Sequence, residues 1–151
     1  MKWYLQVTLS LVLGASLILF QRCTQEPEPL VYGKDVCQFC KMTLMDHKFG
    51  AELVTKKGKV YKFDDINCML NFYHSDQEAP DNFRHKLVVN YQEPGTLMQV
   101  DSAFYLKSNE IRSPMASEVA AFSSYKNMGV FKRKWGGIYL GWGELLTQFK
   151  Q

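Results

Sequence analysis

The stretch Gly58-Lys59-Val60-Tyr61-Lys62-Phe63-Asp64-Asp65-Ile66-Asn67-Cys68-Met69-Leu70-Asn71-Phe72-Tyr73 changes hydrophobic period in its middle. Ala51–Thr55 and Lys59–Phe63 are short apolar-rich runs separated by Lys56-Lys57-Gly58, which predicts a β-hairpin with glycine in the turn. Asp64 or Asp65 then offers a helix N-cap. Ile66, Met69, Leu70 and Tyr73 follow at helical spacing, which predicts about three turns with one apolar face. A similar order recurs in Gly137-Ile138-Tyr139-Leu140-Gly141-Trp142-Gly143-Glu144-Leu145. In both stretches a glycine opens a strand, an aromatic ends it, and an acid with an aliphatic starts a helix. Chance likeness of strand–helix junctions is the competing explanation. The fold reads as α+β: short antiparallel strands with helices in two similar ββα-type halves, approximately 36–92 and 93–151, which pack about a pseudo-twofold if the repeat holds.

Outward from these junctions, Lys86–Tyr91 reads as a strand ended by Glu93-Pro94-Gly95, and Leu97–Leu106 as a longer one. Ser113-Pro114 marks a helix start that Val119, Phe122 and Lys126 continue, and Gly136-Gly137 stops it. Ile138–Trp142 reads as a last strand and Glu144–Phe149 as a last helix.

At the N-terminus, Lys2 precedes an uncharged run from Trp3 to Phe20, the pattern of an export signal over residues 1–22. Cys23 stands just past it and is followed by Thr24-Gln25-Glu26-Pro27-Glu28-Pro29. This resembles a bacterial lipoprotein site, in which the signal is cut before the cysteine and the cysteine is acylated, although Arg22 stands where such sites usually have a small residue. An uncleaved anchor helix is the alternative. Both place the domain outside the cytoplasm and tethered to a membrane, in the periplasm in the lipoprotein case. Residues 23–35, with their prolines and charges, read as a flexible tether, and residues 36–151 as the folded domain.

Composition limits the function classes. The chain has 151 residues, 46 % hydrophobic and 22 % charged, which are globular values and exclude a wholly disordered chain. Its 18 basic residues, less Lys2 and Arg22 of the signal, leave 16 against 15 acidic ones. So balanced a surface gives no reason to expect nucleic acid or an anionic membrane surface as a partner. The histidines have no serine or aspartate partners at catalytic spacing and there is no phosphate loop, so the sequence does not read as an enzyme.

The chemistry lies in Cys37-Gln38-Phe39-Cys40-Lys41-Met42. Two cysteines with two residues between them can share one metal ion, form a disulfide, or act as a redox pair. A structural zinc site needs four ligands, and Cys68, His47, His74 and His85 show no paired spacing to supply the rest. A membrane-tethered thiol–disulfide oxidoreductase using Cys37 and Cys40 is the alternative function, but no strand precedes the pair. A soft monovalent metal is the fourth reading beside zinc, a disulfide and a redox pair, and copper(I) is the obvious one, since it prefers thiolate and thioether sulfur. Met42 and Met115 lie beside polar, turn-like residues, whereas Met69, Met98 and Met128 read as packing. Cys68, on the helix beside Met69, reads as a small buried hydrophobe.

The order of motifs resembles the NosL family of copper-chaperone lipoproteins. It runs C-x-x-C-x-M, then G-K-V-Y-K-F-D-D, a helix with Cys-Met-Leu, D-S-A-F-Y, S-P-M and G-G-I, across roughly Val36 to Phe149. The resemblance implies an exported lipoprotein that binds copper(I) and delivers it to maturing nitrous oxide reductase through an ABC-transporter-type assembly machinery. Carried over, Cys40 and Met42 match the first motif, Met115 the second, and Cys37 is the extra thiol. Asp64 and Asp65 fall on the family's acidic pair, where helix capping also calls for an acid. Lys41 and Ala116 stand where the family usually has glycine. Met42 and Met115 are expected to face one another near Cys40.

Overall fold

The computed structural model of the chain describes residues 26–150. The apolar run Trp3–Phe20 and Cys23, with the lipidation expected of it, lie outside them. Among the described residues, seven strands and three helices follow in the order β1 (Ala51–Thr55), β2 (Val60–Phe63), α1 (Ile66–Tyr73), β3 (Phe83–Val89), β4 (Leu97–Gln99), β5 (Phe104–Lys107), β6 (Val119–Phe122), α2 (Tyr125–Trp135), β7 (Ile138–Leu140) and α3 (Trp142–Gln148). They form two antiparallel sheets, ordered β2-β1-β3-β4 and β6-β5-β7. The fold is α+β.

The two sheets are built on one plan. Each begins β-β-α-β, and in each the first strand lies between the second and the third. The internal likeness therefore exists, but its partners differ from those expected. β2–α1 corresponds to β6–α2, so Val60-Tyr-Lys-Phe63-Asp-Asp65 answers to Val119-Ala-Ala-Phe122-Ser-Ser124. In both, a fully buried Phe ends the strand, and the second residue after it caps the helix. The Asp65 carboxylate accepts from the Asn67 N–H at 3.2 Å, and the Ser124 hydroxyl from the Asn127 N–H at 3.2 Å. Met69 and Met128 follow at equivalent helix positions, both fully buried. The stretch from Gly137 matches only because a strand–glycine–helix junction has a common shape.

Three segments differ from their sequence-based expectation. Leu97–Leu106 is broken between the sheets: β4 pairs with β3, Val100–Ser102 makes a 3₁₀ turn, and β5 joins the second sheet. Asp101-Ser102 are turn formers, and the buried Tyr105 hydroxyl closes the turn by donating to the Val100 carbonyl at 2.9 Å. Ser113–Glu118 is a loop and Val119–Phe122 a strand, where a helix was expected. A short apolar run buried on both faces carries neither period clearly. Helix α1 has eight residues rather than about three turns.

A parallel bridge between Asn90 and Ala121 joins the sheets, with the Tyr91 N–H donating to the Ala121 carbonyl at 2.8 Å. The main core gathers Phe63, Leu70, Phe72, Tyr105, Leu140 and Leu145, and a smaller one lies under α2 around Leu106, Phe122 and Met128. Part of the segment expected to be a tether lies against the first sheet. Leu30 is buried, the Glu28 N–H donates to Glu52 at 3.0 Å, and the Lys62 ammonium bridges Glu28 and Asp35. Residues 36–43 then close along the β2 edge, where the Gln38 N–H donates to the Lys62 carbonyl at 2.8 Å.

Candidate metal centre

The C-x-x-C-x-M segment is a tight hairpin. Val36 bridges Thr43, the Cys37 N–H donates to the Met42 carbonyl at 2.8 Å, and the Lys41 N–H returns to the Cys37 carbonyl at 3.0 Å. Closing it needs a left-handed residue, and Lys41 supplies it at φ 64°. The turn places both cysteine sulfurs toward the start of α1. The backbone N–H groups of Asp64, Cys40 and Phe39 point at the Cys37 sulfur, and that of Met42 at the Cys40 sulfur.

Helix α1 contributes the other side. Asp65 takes the capping role alone, which frees Asp64 to turn inward, and Cys68 sits in the first turn. Cys37, Cys40 and Cys68 thus bring three sulfurs, and Asp64 a carboxylate oxygen, all within 4.8 Å of one another. Cys37, Cys68 and Asp64 are buried and Cys40 is partly exposed. The Cys40 thiol approaches one Asp64 oxygen at 3.5 Å, while the other Asp64 oxygen is buried with no hydrogen-bond partner.

The thiols are electrostatically unequal. A hydrogen bond from Cys68 holds Cys37 below the usual thiol range, at about 6, against the opposing effect of its burial. Burial pushes Cys40 up to about 11. The same hydrogen bond to Cys37, followed by burial, pushes Cys68 upward as well. The raised Cys40 and Cys68 thiols must give up their protons for a metal to bind them.

Of the four residues taken from the sequence, Cys37 and Cys40 fall in the cluster. Met42 is on the same hairpin, its carbonyl accepting the Cys37 N–H, and its side chain is 56 % exposed. Met115 is half-buried against the main core, as is Cys40. Its backbone is bound to the start of α1: the Met115 N–H donates to Asp65 at 2.9 Å, and the Asn67 side chain donates to the Met115 carbonyl at 2.9 Å. The loop that carries Met115 thus docks on the residues next to Asp64 and Cys68. Its turn also needs a left-handed residue, Ala116 at φ 54°. Both non-glycine departures noted in the sequence occupy backbone conformations that favour glycine. His47, by contrast, stacks on Tyr32 with ring centroids 4.0 Å apart and is not part of the group.

The sequence read Cys68 as a small buried hydrophobe and offered Asp64 or Asp65 as the cap; the structure buries Cys68 and also brings its sulfur and Asp64 into the group. The usable signal was an acid and a cysteine four apart across a helix start, with a second acid between them to do the capping.

No curated protein matches the sequence. The fold matches the crystal structure of the copper chaperone NosL from Shewanella denitrificans with a TM-score of 0.67 and 19 % identity, covering 80 % of this chain and 96 % of that one. The NosL family model matches residues 30–149. With that match spanning both sheets and the whole thiol cluster, the chain belongs to the NosL family.

Proposed function

We propose that this protein is a copper(I) chaperone that holds the ion in sulfur ligands at the Cys37–Met42 hairpin and passes it on. The observation that carries this is the meeting of three cysteine sulfurs, two of them from the hairpin that also carries the exposed Met42. Thiolate and thioether donors select copper(I) over harder ions. Burial is graded: Cys37 and Cys68 are hidden, Cys40 is partly open, and Met42 is at the surface. An ion held this way leaves by stepwise ligand exchange at the open side, without unfolding the domain. Cys37, Cys40, Met42 and Met115 are the proposed ligands from the sequence, with Cys68 as a further thiolate. Family membership, and the copper chaperone of like fold, support the same role.

The recipient we propose is maturing nitrous oxide reductase, reached through its ABC-transporter-type assembly complex, with the domain exported to the periplasm and anchored by lipid at Cys23. Thiol–disulfide exchange is less suited to the site. It asks for an accessible thiol of low pKa, whereas here the depressed thiol, Cys37, is buried and the open one, Cys40, is raised.

Anaerobic copper(I) titration against a chromophoric chelator tests the role: one tight equivalent is expected, with Cys40→Ser and Met42→Ala each weakening it. Copper(I) affinity unchanged in both variants would sink the assignment. Mass spectrometry of the native protein tests the anchor, where an unmodified Cys23 would count against it.

A further inference from the structure

Charge is balanced over the domain but unevenly placed in it. From Val119 to Gly143 the chain carries four basic residues, Lys126, Lys132, Arg133 and Lys134, and no acid. All four lie on α2, and among the described residues none of them is in an ion pair. Helix periodicity puts Lys126, Val130 and Arg133 on one outward stripe with Lys134 at its border, all exposed, while Met128 on the other side is fully buried. Three basic residues in the last turn suit the helix dipole, but Lys126 in the first turn opposes it. The surface beside the stripe is aromatic. Tyr125 opens α2, Tyr139 lies on the edge strand β7, and Phe104 packs on both, with ring centroids 6.2 Å from each. Tyr125 is 61 % exposed and Tyr139 39 %, and Ile138 is exposed with them.

We propose that this α2–β7 face rests on an anionic phospholipid bilayer, its lysines and arginine against headgroup phosphates and its tyrosines at headgroup level. The inference rests on the membrane tether proposed above. Charge complementarity is the first argument. Each basic residue beside an anionic bilayer favours binding by about fivefold, and tyrosine suits the interface because its ring is apolar and its hydroxyl polar. Reach is the second. Seven residues separate Phe20, the end of the apolar run, from Glu28, whose N–H is held by Glu52. Seven residues of extended chain span at most about 25 Å. From there a file of contacts leads to α2. The Tyr32 hydroxyl donates to the Phe49 carbonyl at 2.8 Å, the Phe49 and Tyr91 ring centroids stand 5.7 Å apart, and Tyr91 stands 5.6 Å from both Phe131 and Trp135 of α2. A domain on so short a tether meets the bilayer at high effective concentration, so a face of modest affinity is enough to orient it. The whole-chain balance of charge concealed this face, because the acids that offset it lie elsewhere in the fold. None of its residues belongs to the metal centre.

The full chain is placed in nanodiscs of phosphatidylcholine, alone or mixed with phosphatidylglycerol, and its lysines are briefly acetylated and read by mass spectrometry. Lys126 and Lys134 are expected to react at least about threefold more slowly on the anionic discs, and to recover in about 1 M salt, where the Debye length is about 3 Å. Lys56 and Lys57, exposed at the far end of β1 from Gly50, are internal controls and should react alike on both. Arg133→Glu should remove most of the protection at Lys126 and Lys134 and leave copper(I) stoichiometry unchanged. Equal rates at Lys126 and Lys134 on the two kinds of disc would overturn the proposal and leave the face to an acidic protein. Protection in detergent that grows with protein concentration would overturn it by making the occupant a second copy of the chain. Equal slowing of Lys56 and Lys57 would overturn it as unspecific attraction. The tether is read separately, as retention on the discs in high salt. A chain that is retained but unprotected on anionic discs at low salt loses only this inference; one that is protected at low salt and washes off at high salt supports it and loses the tether.

Discussion

The Asp65 carboxylate holds Met115. One oxygen accepts the Met115 N–H at 2.9 Å and the Ser117 N–H at 3.4 Å, while the other caps α1 through Asn67. One fully buried side chain therefore joins the start of the helix that carries Cys68 to a loop of the second sheet.

Asp65→Ala removes the cap and leaves buried N–H groups without an acceptor. The expected loss is about 2–4 kcal/mol, combining a cap with orphaned donors. Urea unfolding measures it, and Asp65→Asn should recover part of the loss. A change under about 0.5 kcal/mol would show that this link does not matter to stability.

Lys41 and Ala116 sit at φ 64° and 54°. Glycine relieves that strain at the expense of a more flexible unfolded chain, so Lys41→Gly and Ala116→Gly should each stabilise by about 0.5–1 kcal/mol. Thermal unfolding without metal is the measurement. Destabilisation by both would show that the left-handed turns are not strained in solution.

Copper(I) affinity should rise with pH. Cys40, at about 11, and Cys68 must give up protons to bind, so each contributes up to about tenfold per pH unit below its own pKa. Cys37, at about 6, adds to the slope only below that pH. Chelator competition at several pH values reads the slope, and a flat profile between pH 6 and 9 would show that neither Cys40 nor Cys68 gives up a proton on binding.

Glu52 is fully buried, with one oxygen unpartnered, and burial raises its carboxyl to about 7. An acid with a raised folded pKa favours the folded state below its unfolded pKa, near 4.5, and that contribution is lost as pH rises to about 7. Glu52→Gln should therefore stabilise by about 1–3 kcal/mol at pH 8 relative to its effect at pH 4. Equal effects at both pH values would mean that Glu52 titrates normally.

The sequence by itself determined the first hairpin, helix α1 with its aspartate cap, the α+β class and the family, because these rest on local period, turn chemistry and motif order. It also placed Cys37 and Cys40 together, since two residues between thiols span one turn. Tertiary structure alone decided three things. It broke Leu97–Leu106 between two sheets and made Val119–Phe122 a strand, because burial on both faces erases periodicity. It brought Cys68 and Asp64 against the hairpin, a contact across more than twenty residues that no local rule encodes. It also docked the Met115 loop on Asp65, where a buried carboxylate had to find donors and the second sheet was the element within reach.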